Sequence, residues 1–230
     1  MVRVGLAMLQ GARHEHVQAL NAAAAQLGCD LEIVELRRGS EVDQRLDCLV
    51  LPGGESTAMR KASRSESLLS ALFSWMEAHP NRPVLGTCAG AILLANPGEG
   101  KRSFLRAEIS RNAWGRQRDS FEGNVSLSLE TPPGGSVSSQ NTPRDQFNHQ
   151  PLPVESSQNT EDSSVFPGVF IRAPRFVQTS IHCIPVAFLD DEVVGVQDGS
   201  YLALTFHPEL TNDYRFHRWL LHKCYSSDNS

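Results

Sequence analysis

The sequence predicts an α/β protein with three layers, helices covering both faces of a mostly parallel central sheet. Three observations predict it. Short apolar runs alternate with helical patterns through the first hundred residues, as successive β-α-β units require. One apolar run ends at Pro52-Gly53-Gly54 and another leads into Gly86-Thr87-Cys88-Ala89-Gly90 ahead of an apolar helix. The 230 residues, 40% hydrophobic and 20% charged, have the balance of an ordinary globular chain, long enough to bury a core without disulfide or metal staples.

The elements follow in order. Residues 2–8 read as a buried strand, and residues 14–27, with the Ala22 to Ala25 run, as a helix stopped by Gly28. Residues 31–36 and 47–51 are strands, the second almost wholly apolar and ending at Pro52-Gly53-Gly54. Leu68, Leu69, Leu72, Phe73 and Met76 have helical spacing within 66–79. Residues 83–86 form a further buried strand, and Ala89 to Ala95 opens a helix. Later strands are expected at 125–129, 166–171, 193–197 and 201–206, and a closing helix at 213–224 that buries Phe216, Trp219 and Leu220. Residues 131–165, rich in Ser, Thr, Pro, Gln and Asn, are expected to be a disordered surface insertion within a single domain of 1–230, because they carry too little apolar surface to offset ordering.

Composition excludes several classes of function. Lys and Arg number 21 against 26 Asp and Glu, a net charge of −5 that argues against a phosphate-binding, nucleic-acid surface. Trp75, Trp114 and Trp219 form no stripe for stacking bases. No apolar run is long enough to span a bilayer, and the N-terminal run is too short for a signal peptide, so a cytoplasmic protein is expected. In that setting Asn124-Val125-Ser126 is a chance match to a glycosylation site. Five widely spaced cysteines without a Cys-x-x-Cys pair fit neither a disulfide framework nor a zinc site. Cys29, Cys48, Cys183 and Cys224 read as packing residues. His14-Glu15-His16 is a poor metal candidate, since residues two apart do not share a helical face.

Three motifs carry chemistry. Gly86-Thr87-Cys88-Ala89-Gly90 lies between an apolar strand and an apolar helix, as a nucleophile on a sharp strand-to-helix turn does. The helix N-terminus there favours a thiolate. His207-Pro208-Glu209 follows a strand and supplies a base with a carboxylate to orient it. Ligands of open α/β sheets sit at the carboxyl ends of strands, where both motifs fall. Pro52-Gly53-Gly54-Glu55-Ser56-Thr57 offers backbone N–H groups for an oxyanion, and Glu55 a partner for an ammonium group. The same segment also reads as a plain turn into a helix capped by Ser56 or Thr57.

Together these motifs resemble the class I (triad) glutamine amidotransferase family. Further blocks, Leu9-Gln10-Gly11, Arg111-Asn112-Ala113-Trp114-Gly115-Arg116-Gln117, Asp119-Ser120-Phe121-Glu122, Phe170-Ile171-Arg172-Ala173-Pro174 and Phe206 to Thr211, are similar to the branch that serves pyridoxal 5′-phosphate synthases. The resemblance implies the class I glutamine amidotransferase-like (flavodoxin-like) arrangement. It implies that Cys88 attacks the side-chain amide of L-glutamine, that His207 moves the proton, and that Glu209 orients His207. It implies an oxyanion hole from the N–H groups of Gly54 and Ala89. Gly53, Glu55, Ser56 and Arg116, with the backbone at Arg172 and Ala173, would hold the substrate. Gln10 would lie near the interface with a (β/α)₈ synthase subunit, which takes up the ammonia to build pyridoxal 5′-phosphate. No metal and no organic cofactor is implied for this half. The sequence departs from the family pattern at Asn96 to Arg106 and in the 131–165 segment, neither of which touches the motifs. A catalytically silent regulatory scaffold and a stand-alone γ-glutamyl hydrolase are the competing readings. The intact Cys88, His207 and Glu209 set argues against the first.

Overall fold

A computed structural model describes residues 1–98, 100–111, 120–134 and 164–226. Trp114, Arg116, Gln117 and Asp119, and most of the 131–165 segment, lie outside these residues. In chain order the elements are β1 (Val2–Ala7), α1 (Arg13–Leu27), β2 (Leu31–Leu36), β3 (Cys48–Leu51), α2 (Ser56–Glu66), α3 (Leu68–Ala78), β4 (Val84–Thr87), α4 (Ala89–Ala95) and β5 (Ile109–Ser110). The second half adds β6 (Ser120–Leu127), β7 (Val165–Ile171), β8 (Arg175–Phe176), β9 (Ile184–Leu189), β10 (Glu192–Asp198), β11 (Tyr201–Leu204) and α5 (Arg215–Ser226).

Nine strands form one sheet in the order β2-β1-β3-β4-β11-β10-β9-β6-β7. The first five run parallel, and the remaining four extend the sheet antiparallel. Side chains alternate between the two faces because the strand repeat is two residues. In β3, Cys48 and Val50 join the core against α1 and α5, whereas Leu49 and Leu51 join the core against α2, α3 and α4. Leu202 and Leu204 of β11 divide from Ala203 in the same way. Helices thus cover both faces, and the central parallel strands are apolar on both sides. Two short strands, β5 and β8, pair apart from the main sheet.

The helices start and stop for local reasons. α1 ends where Gly28 turns to φ +63°, so that the N–H groups of Gly28 and Cys29 reach the carbonyls of Ala25 and Ala24. α5 buries Phe216, Trp219 and Leu220 as the pattern predicts. Several boundaries differ from expectation. The helix expected at 66–79 begins at Leu68, separated from α2 by Ser67 at φ 53°. β6 starts at Ser120 and ends at Leu127, not 125–129. The strand expected through Phe206 ends at Leu204. β9 has no counterpart in the sequence reading, because Pro185 breaks its pattern. β6 and β7, on either side of the 131–165 segment, are antiparallel neighbours paired from Ser120–Ile171 to Ser126–Val165.

Candidate active site

The chain leaves β1, β3, β4 and β11, adjacent parallel strands, at the same edge of the sheet. The loops that follow carry Gln10, Gly53 and Gly54, Cys88 and His207. A cleft of about 600 Å³ opens there, lined by Gln10, Gly54, Glu55, Ser56, Cys88, Arg172 and His207 among others. Gly53, Ala89, Ala173 and Glu209 do not line it but adjoin residues that do.

Cys88 sits at the tip of the β4–α4 turn with φ 50° and ψ −107°, a conformation that L-residues rarely adopt. The flanking glycines make the turn possible. A Cβ at Gly86 would lie 2.7 Å from Leu94 Cδ1 and 2.9 Å from the Gly90 carbonyl carbon, and one at Gly90 would overlap the Leu51 carbonyl. The Cys88 N–H donates to the Leu204 carbonyl at 2.8 Å, which ties the turn to β11. The side chain is nearly buried, with the Ile171 carbonyl 4.0 Å from Sγ.

His207 is fixed from both ends. Its N–H donates to the Val169 carbonyl at 2.8 Å, and its Nδ1 lies 2.7 Å from Glu209 Oε1. Gly53 packs against the same ring. A Cβ there would overlap His207 Cε1 and come within 3.3 Å of Cys88 Cβ. Cys88, His207 and Gly53 therefore meet from three different loops. Burial pushes the His207 pKa down, but the Glu209 carboxylate and the Cys88 thiol outweigh it and raise His207 to about 10. Burial likewise opposes the Glu209 charge, and His16 and His207 facing it lower Glu209 to about 2.

The Pro52 to Thr57 segment holds its own surprises. Glu55, not Ser56 or Thr57, caps α2. Its carboxylate accepts the N–H groups of Thr57 at 2.9 Å and Ala58 at 2.6 Å, which hold its pKa below the usual value. Ser56 is buried, at 3% exposure, as the first residue of α2. Gln10 reaches across from the β1 loop and accepts the Glu55 N–H through Oε1 at 3.0 Å, with its side chain beside Gly54, itself at φ +139°. Gln10 thus braces the glycine loop from within the cleft. Arg172 has φ 45° beside buried Ala173. Arg111, which the sequence motifs give no separate role, lines the cleft and donates from Nη1 to Thr57 Oγ1 at 3.2 Å. Arg116 lies outside the described residues.

Two residues escaped the sequence reading as site residues. His14 is exposed, while His16 turns fully inward and approaches Thr87, His217 and Glu209. The signal was present: His16 precedes Ala19, Leu20 and Ala23 on the buried stripe of α1, and His217 lies on the stripe with Leu220 and Leu221. Among the described residues, no three His, Cys, Asp or Glu side chains converge to hold a metal ion. Nor is any helix among them long and apolar enough to cross a membrane.

Comparison with known proteins shows what the chain is similar to. The chain is 36% identical over 230 residues to the pyridoxal 5′-phosphate synthase subunit PdxT of Thermococcus onnurineus, covering 97% of this chain and 99% of that one. The protein of the same name from Methanosarcina acetivorans is 32% identical, covering 98% and 100%. A solved glutamine amidotransferase superposes with a TM-score of 0.68 at 32% identity, covering 96% of this chain and 98% of that one. A second, from Thermotoga maritima, shares the fold at a TM-score of 0.53 and 16% identity, covering 99% and 84%. The profile of the SNO glutamine amidotransferase family matches residues 6–131 and 141–226. By that match and by relatives more than 30% identical over nearly the whole chain, the chain, with Cys88, His207, Glu209 and the glycine loop gathered at one end of the sheet, belongs to the SNO glutamine amidotransferase family.

Proposed function

We propose that the chain is the glutaminase subunit of a pyridoxal 5′-phosphate synthase and hydrolyses L-glutamine to L-glutamate and ammonia. The observation that carries the reading is Cys88, held in left-handed backbone at the start of α4, meeting a His207 that is bonded to buried Glu209. The names and near-complete overlap of the relatives support it.

In this reading His207 holds the proton of Cys88 as an imidazolium, and Sγ attacks the side-chain amide carbon of glutamine. The oxygen gains negative charge, which the N–H groups of Gly54 and Ala89 receive. As the tetrahedral intermediate collapses, the C–N bond breaks and His207 returns the proton to the leaving ammonia. The thioester on Cys88 is then opened by water, with His207 as base, and glutamate leaves. Glu209 orients His207 and stabilises its imidazolium throughout. Glu55, Ser56 and the backbone at Arg172 hold the α-amino and α-carboxylate groups, with Gly53 and Ala173, expected by resemblance to share in this, backing them from outside the cleft lining. Arg116, assigned by resemblance, binds the carboxylate with its fork.

The ammonia passes to a (β/α)₈ synthase subunit, and Gln10 lies where the glycine loop can sense that partner. No metal or organic cofactor takes part in this half. We read residues 1–230 as one glutaminase domain interrupted between β6 and β7 by the 131–165 insertion. The compartment in this reading is the cytoplasm, where thiols such as the five free cysteines stay reduced.

Glutamate release from L-glutamine, measured with and without the synthase subunit, tests the proposal. Release that rises with the partner and vanishes in Cys88→Ala is expected. Full release without the partner would point to a stand-alone hydrolase. No release in either case, from folded protein, would leave a silent scaffold.

A further inference from the structure

A string of buried side chains continues behind the triad. Glu209 gives one oxygen, Oε1, to His207. Its other oxygen, Oε2, is sealed from solvent and has no hydrogen-bond partner among the described residues. His16 of α1 faces that oxygen, with Nε2 3.5 Å away, and the same nitrogen lies 3.2 Å from Oγ1 of Thr87, the residue before Cys88. His16 Nδ1 in turn lies 3.0 Å from Nε2 of His217 in α5. Both rings are fully buried, and His217 Nδ1 has no partner among the described residues.

These contacts select the protonation pattern. Burial lowers both imidazoles from their ordinary value, so both are neutral at pH 7. Two neutral rings can share their hydrogen bond in two ways. If His16 donated from Nδ1, its Nε2 lone pair would face the Glu209 carboxylate, and His217 would bury an unpartnered N–H. If His217 donates from Nε2, the Nε2–H of His16 points at Thr87 Oγ1 and Glu209 Oε2. His217 then leaves only a ring lone pair unpartnered. The second pattern sets an N–H dipole against the buried charge and removes the orphaned donor. At 3.5 Å the contact is long for a hydrogen bond, but short for a charge facing an N–H dipole in a dry interior.

We propose that His16, its tautomer set by His217, is a positioning residue of the triad. Its Nε2–H holds the second oxygen of Glu209 and so keeps the first on His207. The inference rests on the triad reading given above and deepens it. The groups facing Glu209 are His207 from its own loop, His16 from α1 and, behind it, His217 from α5. Cys88 reaches it only through His207, and Glu15 acts on His16 from the same helix.

The test compares His16→Asn with His16→Gln. Asparagine can keep the partner on His217 but has no atom at the Nε2 position. The glutamine amide nitrogen falls where Nε2 stood. Two readouts are taken: kcat and KM for glutamine in the complex with the synthase subunit, and the pH dependence of Cys88 alkylation by iodoacetamide, followed on the Cys88 peptide by mass spectrometry. In His16→Asn, kcat is expected to fall at least about tenfold with KM within about twofold. The pH of half-maximal alkylation should move up by about one unit, since a less firmly held Glu209 supports the His207 imidazolium less well. His16→Gln should recover most of both. Equal behaviour of the two variants, unchanged or equally impaired, would overturn the proposal, the latter in favour of simple packing between α1 and α5. If one variant fails to fold, His217→Phe serves in its place. It should shift the alkylation profile upward by a smaller amount, and an unshifted profile overturns the proposal. Wild-type protein that is alkylated at Cys88 yet turns over no glutamine would overturn the triad reading itself, and this inference with it.

Discussion

Adding a single methyl group at Gly53 should disable the enzyme while leaving the fold standing. Gly53 lies on the loop after β3, against the ring of His207. A Cβ built there overlaps His207 Cε1 and lies 3.1 Å from Nδ1 and 3.3 Å from Cys88 Cβ. The ring cannot simply swing aside, because Nδ1 is held 2.7 Å from Glu209 Oε1 and the backbone N–H is tied to Val169. Restoring ordinary contact requires the ring or the loop to withdraw by about 1 Å. A displacement of that size at the reacting centre costs on the order of 100-fold in rate. The overpacking itself should cost about 1–3 kcal/mol of stability, well short of unfolding a domain of this size. The assay is glutamate release by Gly53→Ala in the complex with the synthase subunit, beside a urea titration of the same preparation. Turnover within about threefold of wild type would refute the reasoning. So would a loss of activity matched by global unfolding.

Other expectations follow from the same geometry. Stability should be greatest near pH 6.5. His217, lowered to about 3 from 6.5, contributes stability that is full above pH 6.5 and lost as pH falls toward 3. Glu209, lowered to about 2 from 4.5, contributes stability that is full above pH 4.5 and lost as pH falls through 2. His207, raised to about 10, acts oppositely, with its contribution full below pH 6.5 and lost as pH rises through 10. A urea midpoint unchanged between pH 6.5 and 4.5 would contradict the account of His217. Phe216→Ala removes a ring packed edge-on against Phe166 and Phe206 and should cost about 3–5 kcal/mol by chemical denaturation. Gly28→Ala should cost only about 1 kcal/mol, because a Cβ there meets nothing and the penalty is that of positive φ alone. A cost above about 3 kcal/mol would mean that the site is crowded after all.

Local pattern carried much of the architecture. The apolar runs of β1, β3 and β4 are buried on both faces and so announce themselves without partners. The glycines around Cys88 mark a turn that admits no Cβ, and the two-residue spacing of His207 and Glu209 leads to a direct bond between them. These features depend on neighbours in the chain, and neighbours are what a sequence displays. β9 was hidden by Pro185, and the break between α2 and α3 by Ser67, a residue without glycine's conformational freedom in a left-handed turn. Glu55 was legible as a charge but not as a cap, because capping depends on where α2 begins.

The chain order of most strands and helices, the turn at Cys88 and the His207–Glu209 pair were determined by residues close together in sequence. Tertiary structure alone decided which loops share one end of the sheet and what lies behind His207 and Glu209. His16 and His217 stand 201 residues apart, and although each lies on the buried stripe of its helix, nothing local says that the two meet or that they face Glu209. Only the packing of α1 and α5 over the same strands strips both rings of water. Desolvation then keeps them neutral and turns one N–H toward a buried carboxylate.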